Sequence, residues 1–455
     1  MLLAGSILMG FIALAMIPLA EKNIFFLFAI PMAGIFFLFM ILQPKQAIVL
    51  LLFTRSLLDL ILVNTKVTVS GGSDAGIGGI LNLLMIGLAT IMMLKNKEFI
   101  SKALFRVRWW ILFLIICAVS STYAPDRATA IKFVMQQASC MLIFLIPFFV
   151  VKDGLDKKFW IKILFFSSFI PILLADFGLV TGKRLFYLKT EDAGWRLRGT
   201  FTHPNILSVY LVLAMAIIFY IIKSPSFSLS SKKKNMIWFY VLNLAVLLFA
   251  TKTRSAWIAC WLMFVIYGFL KEKRYMIISL LLTALLIFTP QIQERMGNLG
   301  TQGASKKELD KNSWHWRTMV WSDSLPLIQA SPFFGHGSGS FKILSPTFSK
   351  VRLTGVYAHN VYVEMLFETG IIGLVFYIAF FLSLIKANFF KMIQSRGSLS
   401  RECAIMIAYL TGYLVVCFSD NMHIYITFNW YFYFFLGITM RSLYFSETSE
   451  KPQTV

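Results

Sequence analysis

Tyr357-Ala358-His359-Asn360-Val361-Tyr362-Val363-Glu364 closes the longest polar interruption in the chain and opens an apolar run that continues to about Ile385. That run exceeds the roughly 20 residues an α-helix needs to cross a bilayer. Similar runs recur along the chain: 58% of its 455 residues are hydrophobic and only 14% charged, with a mean hydropathy of +0.74. Soluble domains are far less apolar. The pattern predicts an all-α fold: a polytopic transmembrane helical bundle of about 12–14 spans, with one large extracytoplasmic loop containing short surface helices. A β-barrel would show short alternating segments instead.

Working outward from that stretch, apolar runs place spans near 2–20, 24–42, 46–63, 77–94, 109–121, 131–151, 159–180, 206–222, 236–251, 255–270, 275–290, 361–385, 403–418 and 426–445. The first lacks a basic leader and a small-residue cleavage site, so it reads as a retained helix. Lys95–Arg108, Lys152–Lys158, Lys223–Lys234, Lys271–Arg274 and Lys386–Arg401 fall on one side if both termini are cytoplasmic, as the positive-inside tendency requires. The expected location is the bacterial cytoplasmic membrane. Three segments organise the chain: N-terminal helices over 1–195, a core over 196–376 that includes loop 291–358, and C-terminal helices with a cytoplasmic tail over 377–455.

The five cysteines all lie in apolar runs without metal-type spacing, so no disulfide framework, metal or other cofactor is expected. Net charge is +22, and the outer loops 181–205 and 291–358 are themselves basic. Long loops translocate largely regardless of charge, so these cations do not set the topology. They fit a solvated or lipid-attracted surface, or an anionic substrate at the outer leaflet, and nucleic acid is not an expected partner.

Polar residues inside or beside the spans divide by position. Arg55 and Asp59, four apart in span three, suit a structural ion pair better than a catalytic one; Asp176 in span seven is ambiguous in the same way. Arg196 and Arg198 flank one residue before Gly199. His203 reads as a loop residue, and Asn205 as the cap of the next helix. Thr253 or Ser255 could cap span ten; Arg254 is either a snorkelling structural arginine or a rigidly placed phosphate clamp. Within the long outer loop, Asn298–Asn312 reads as a polar, mobile stretch. Trp314, Val320, Trp321 and Leu325 then predict a short amphipathic helix on the membrane surface, carrying Arg317 and ending in a flexible turn at glycines 335, 337 and 339. His315 and His336 read as surface residues, and Glu364 and Glu368 as interior anchors.

Three stretches in order, RGTFTHPN, TRSAW and a Trp/Pro/Gly-rich loop ending in YAHNVYVEMLFETGIIGL, resemble the O-antigen ligase and O-antigen polymerase superfamily over roughly Arg196–Phe376. The resemblance implies a metal-independent glycosyltransferase that moves a glycan from an undecaprenyl-diphosphate carrier to an acceptor hydroxyl at the outer membrane face. It implies His359 and Arg254 as catalytic residues, His359 as general base or acceptor-orienting residue, and Arg198, Arg196 and Arg317 as substrate-binding residues. Its partners would be an undecaprenyl-diphosphate-linked oligosaccharide, a glycan or lipid acceptor, membrane lipids and a chain-length regulator. The chemistry is coherent: fixed arginines neutralise a departing diphosphate, and an imidazole takes the acceptor proton. The number of spans favours a polymerase of surface polysaccharide over a ligase. A flippase of the same lipid-linked glycan is the main alternative, but it should line its spans with cations and show related halves. A histidine-dependent membrane acyltransferase is a third reading.

Overall fold

The computed structural model describes residues 25–64, 67–68, 74–75, 77–96, 99–190, 193–287, 313–350 and 355–444. Among these, the helices are α1 Phe25–Leu42, α2 Pro44–Thr54, α3 Asp59–Asn64, α4 Ile77–Lys95, α5 Ile100–Ser120, α6 Arg127–Val150, α7 Gly154–Ser167, α8 Phe169–Thr181 and α9 Pro204–Lys223. They continue with α10 Ser231–Ala250, α11 Arg254–Leu270, α12 Lys273–Ile287, α13 Ser313–Ala330, α14 Ser340–Phe348, α15 Val361–Gln394, α16 Gly397–Cys417 and α17 Ile426–Ser442. Every expected span from 24–42 onward is helical. The span at 2–20, the end of 275–290, the polar stretch Asn298–Asn312 and the chain beyond 444 lie outside the described residues. Eight of the described helices, α7 and α8 counted as one, are long and apolar enough to cross a membrane. The protein is an all-α polytopic bundle, with two small hairpins added: β1 Val67–Thr68 with β2 Asp74–Ala75, and β3 Tyr187–Thr190 with β4 Gly194–Leu197.

Hydropathy misjudges two spans for physical reasons. The fifth reads as short because Arg106 and Arg108 interrupt it, yet α5 starts at Ile100. Arg106 Nε donates to the Tyr444 hydroxyl at 2.8 Å, and Arg108 lies over the Phe105 ring, so both charges leave the helix sideways. The third is two helices, with Arg55–Leu58 as a break between α2 and α3. Irregular backbone inside a bundle survives only where protein satisfies it. Here the Tyr431 hydroxyl donates to the Leu52 carbonyl at 2.6 Å and accepts from Ser56 N at 3.0 Å, while Thr200 Oγ1 donates to the Ser56 carbonyl. The expected pair forms across the break, Arg55 Nη1 to Asp59 Oδ1 at 3.4 Å, with Arg55 against the Trp430 ring. Asp59 also accepts from Thr202 N and the Thr427 hydroxyl. Asp176 accepts from Asn243 of α10 at 2.9 Å.

Helices α9 and α17 form the centre. Both are apolar all round, and α9 is buried at every position except Ile222. Helix α17 packs on α6 and α7, α15 on α5 and α16, and α11 on α16 and α12. The main core runs from Met40 to Leu443, through all three sequence segments.

The helices of the long loop between α12 and α15 are docked on the bundle. Val320 and Ile328 of α13, Phe341 of α14, Phe367 of α15 and Ala358 just before α15 form a second small core, while Trp314 and Leu325 stay exposed. The expected amphipathic stripe is therefore split between protein and surroundings. The glycine turn is closely packed against its neighbours. Gly335, Gly337 and Gly339 all take positive φ, and a Cβ on Gly335 or Gly337 would sit 2.5 Å from backbone atoms of Glu368 or Ala124. The turn seats on an interruption in α15 at Gly370 (φ 65°, ψ −172°). There the carbonyls of Phe367 and Glu368 accept from His336 N and Gly337 N, and Ile371 N donates to the Pro332 carbonyl. His336 is accordingly half-buried, with Nε2 2.7 Å from the Leu327 carbonyl, rather than a surface residue; His315 is also half-buried.

Tyr431→Phe strands the broken backbone at Ser56 without its buried partner. A loss of about 1–3 kcal/mol is expected, read as an earlier unfolding midpoint in detergent; an unchanged midpoint would show that the break is satisfied otherwise.

Candidate functional site

At one end of the bundle, four turns converge: the hairpin before α9, the link into α11, the entry to α15 and the α16–α17 connection. The hairpin separates the two candidate arginines because its second strand ends at Leu197 and the chain turns at Gly199. Trp195 faces outward, Arg196 is 6% exposed, and Arg198 beyond Leu197 is half-buried. The Arg196 guanidinium donates from Nε to the Thr251 carbonyl at 2.9 Å. Its Nη2 donates to Asn205 Oδ1 at 2.6 Å and to Thr253 Oγ1 at 2.8 Å. Arg198 instead bonds the Leu185 carbonyl through Nε and Nη2, at 3.4 and 3.3 Å.

The expected caps are rearranged. His203, not Asn205, is the N-cap of α9, its Nδ1 accepting from Asn205 N at 3.2 Å with Pro204 in the first turn. This frees the buried Asn205 amide to bridge Arg196 to Asp420, to which it donates at 2.6 Å. Thr253 is the N-cap of α11 by backbone geometry, but its hydroxyl makes no capping bond and accepts from Arg196. Arg254 is the first residue of α11, immediately after Thr253, and is half-buried.

His359 sits in a left-handed turn (φ 47°), as does Lys252 (φ 53°) in the link to α11. For residues other than glycine this conformation is uncommon and holds only where neighbours impose it. Around His359 they do. Trp321 Nε1 donates to the Ala358 carbonyl at 2.7 Å, Ala358 N donates to Glu364, and Asn360 Oδ1 caps α15 by accepting from Tyr362 N and Val363 N. Glu368 accepts from Gly339 N and Phe341 N, fastening the outer loop. Both glutamates thus hold loop backbone.

The imidazole of His359, 27% exposed, places Nδ1 3.4 Å from Asp420 Oδ1; that carboxylate is 1% exposed. Asp420 also accepts from Asn421 N at 2.9 Å and from the Tyr425 hydroxyl at 2.6 Å. Arg317 of α13 donates from Nη1 to the neighbouring Ser419 carbonyl at 2.7 Å. Trp316 lies between the two candidates, edge-on to His359 at 5.5 Å and under the Arg317 guanidinium at 5.6 Å. Beside this pair, buried His423 faces Glu364 Oε1 at 3.2 Å. The two connections thus exchange partners: His359 with Asp420, and His423 with Glu364.

Asp420 therefore gathers His359, Arg317 and, through Asn205, Arg196 and the start of α11. Arg254 adjoins the network in sequence, and Arg198 is on no hydrogen-bonded path to it among the described residues. Asp420, Tyr425 and His423 escape the sequence reading. Their signal is the polar break Ser419-Asp420-Asn421-Met422-His423 between the last two spans, on the same predicted side as His359. Among the described residues no group of His, Cys, Asp and Glu is arranged to hold a metal.

Residues 239–378 match the O-antigen ligase family model. The match runs from α10 into α15, so it contains Arg254, Arg317 and His359, while Arg196, Arg198 and Asp420 lie outside it. It supports a membrane glycosyltransferase of the O-antigen ligase or polymerase type. No curated protein matches the chain.

Burial alone would raise the Asp420 carboxyl, but the His359 bond and charge, the Arg317 charge and the Tyr425 hydroxyl outweigh it and hold the group well below the usual carboxylate range. Its ionised form then contributes stability above the unfolded value of about 3.9, a contribution lost as pH falls through the depressed folded value. Unfolding midpoints should drop on acidification below about pH 4 in the wild type and drop less in Asp420→Asn; parallel curves would show that Asp420 carries no such linkage.

Proposed function

We propose that the protein transfers a glycan from an undecaprenyl-diphosphate carrier to an acceptor hydroxyl at the outer face of the cytoplasmic membrane, most simply as a polymerase of surface polysaccharide. The observation that carries this reading is the polar network around Asp420, which joins an imidazole to arginine-bearing elements at one end of an apolar bundle. The acceptor oxygen attacks the anomeric carbon as the bond from that carbon to the diphosphate oxygen breaks. His359 takes the acceptor proton; with Nδ1 turned to Asp420, Nε2 is the nitrogen available for it.

Negative charge grows on the departing diphosphate, and fixed guanidinium groups suit it because they donate to two phosphate oxygens side by side. Arg254 and Arg317 are assigned that task. Arg317 makes one hydrogen bond among the described residues, and its Nε is buried without a partner, so donors remain for a ligand. Arg196, held by three acceptors, is assigned to positioning the hairpin and the start of α11. Arg198 stays a candidate substrate contact on the more exposed side of the hairpin. Asp420 orients the imidazole and stabilises it once protonated.

With purified protein and undecaprenyl-diphosphate-linked oligosaccharide, His359→Ala should slow chain transfer by about 10²–10⁴-fold, and Arg254→Ala should abolish detectable product, while both variants insert normally. Wild-type product from either variant would remove that residue from the mechanism, and translocation of donor without transfer would replace it with a flippase.

In the same assay Asp420→Asn should lower kcat more than it raises KM for the donor, because it acts through His359. A change confined to KM would assign Asp420 to binding.

A further inference from the structure

The opposite end of the bundle holds a cavity of about 510 Å³. Helix α9 connects the two ends, from Asn205 beside Asp420 to Lys223, a rise of about 27 Å at 1.5 Å per residue. Lys223, Lys234, Glu272, Arg274 and Arg401 supply the charged part of the cavity wall, beside Ser224. These are four cations against one carboxylate. Glu272 is already committed: it accepts from the Lys223 ammonium, from the Tyr267 hydroxyl at 2.6 Å and from Arg274 at 3.0 and 2.6 Å. Burial would raise its carboxyl, but those hydrogen bonds lower it to about 2, so it stays ionised. The wall nevertheless keeps an excess of positive charge.

A bias of Lys and Arg toward one side of the membrane accounts for cations near helix ends. It does not account for the arrangement of this wall. Lys223 is 8% exposed, its ammonium 4.5 Å from the Tyr275 ring centre, and Arg401 Nε reaches back to the Lys223 carbonyl at 3.4 Å. Ser224, 2% exposed, belongs to the same wall, and its hydroxyl oxygen is buried with no hydrogen-bond partner among the described residues. A buried hydroxyl left unpaired is unfavourable, and its presence calls for an acceptor. Tetrahedral phosphate oxygens would supply that acceptor and meet the uncompensated cations at once.

We infer that this cavity is a phosphate-binding site, filled by the headgroup of an anionic lipid or by a soluble phosphate. It lies far from the network around Asp420, and the inference does not depend on the glycosyl-transfer reading. The apolar side of the same wall, Ile221, Ile222 and Leu229, suits acyl chains beside such a headgroup.

The test uses the full chain in neutral detergent, with phosphatidylglycerol, phosphatidylcholine or inorganic phosphate as probe, and bound molecules counted by native mass spectrometry. Phosphatidylglycerol should be retained over phosphatidylcholine. A cation near an anionic headgroup is worth about fivefold in binding, so Lys234→Ala, an exposed change, should weaken retention by about that factor. Ser224→Ala should also weaken it while leaving the unliganded unfolding midpoint unchanged or higher, since no hydrogen bond is lost. Retention that millimolar inorganic phosphate does not displace identifies a lipid headgroup; phosphate binding without lipid preference identifies a soluble ion. Equal retention of both lipids with no phosphate binding, or binding unaltered in both variants, would overturn the site.

Discussion

A carboxylate taken out of water must be answered by hydrogen bonds and opposite charge, or it takes up a proton and loses its charge. Asp420 is answered from every side, and each answer comes from a different element. His359 comes from the entry to α15, Asn205 from the first turn of α9, and Tyr425 from the start of α17. Arg317 approaches from α13 by way of the Ser419 carbonyl. One buried charge therefore sets the relative positions of turns far apart in the chain. Through Asn205 its reach extends to Arg196, and through Arg196 to Thr251 and Thr253 at the head of α11. His423 and Glu364, 3.2 Å apart, bring the same two connections together a second time.

The bundle itself was readable because bilayer-length apolar runs have few other uses. The helices were legible from 24–42 onward, and where the boundaries slipped the reason is local. Arginines can leave a helix laterally, so Arg106 and Arg108 did not end α5. A hydroxyl more than 370 residues away can satisfy a broken turn, so span three could split at Ser56. The candidate site was legible only in part. His359 and the arginines stood out as charges at the rims of spans. Asp420 did not, because a lone acid in a short connection looks like any solvated turn until its partners are seen. The same limit misassigned Asn205. A residue after His-Pro at a helix start has the chemistry of a cap, but the choice between capping and bridging depends on Arg196 and Asp420, which hydropathy cannot place.

The hairpin shows why spacing alone could not separate the two arginines. Arg196 and Arg198 are two residues apart, which on an uninterrupted strand would put both on one face. The strand ends at Leu197, however, and Gly199 takes a positive φ with a Cβ's space closed by Ala175. The chain turns there, so Arg196 is spent inside and Arg198 is left near the surface. A guanidinium held by three acceptors is poorly suited to exchange partners with a substrate, whereas one with spare donors, such as Arg317, is well suited.

The geometry of His359 bears on how such a site would work. Its backbone is held in a left-handed turn by bonds to Ala358 and by the Asn360 cap, none of which involves the imidazole. The ring is thus positioned from behind, and its contact with Asp420 is long for a hydrogen bond at 3.4 Å. A neutral imidazole gains little from a contact of that length. An imidazole that has taken a proton gains considerably more, because the interaction becomes charge-assisted and shortens. On the proposed reading, the attraction strengthens as the acceptor hydroxyl gives up its proton. Only interactions that are stronger at the transition state than before it accelerate a reaction. The looseness of the resting contact is then consistent with catalysis, since the bond is reserved for the charged state that the chemistry creates.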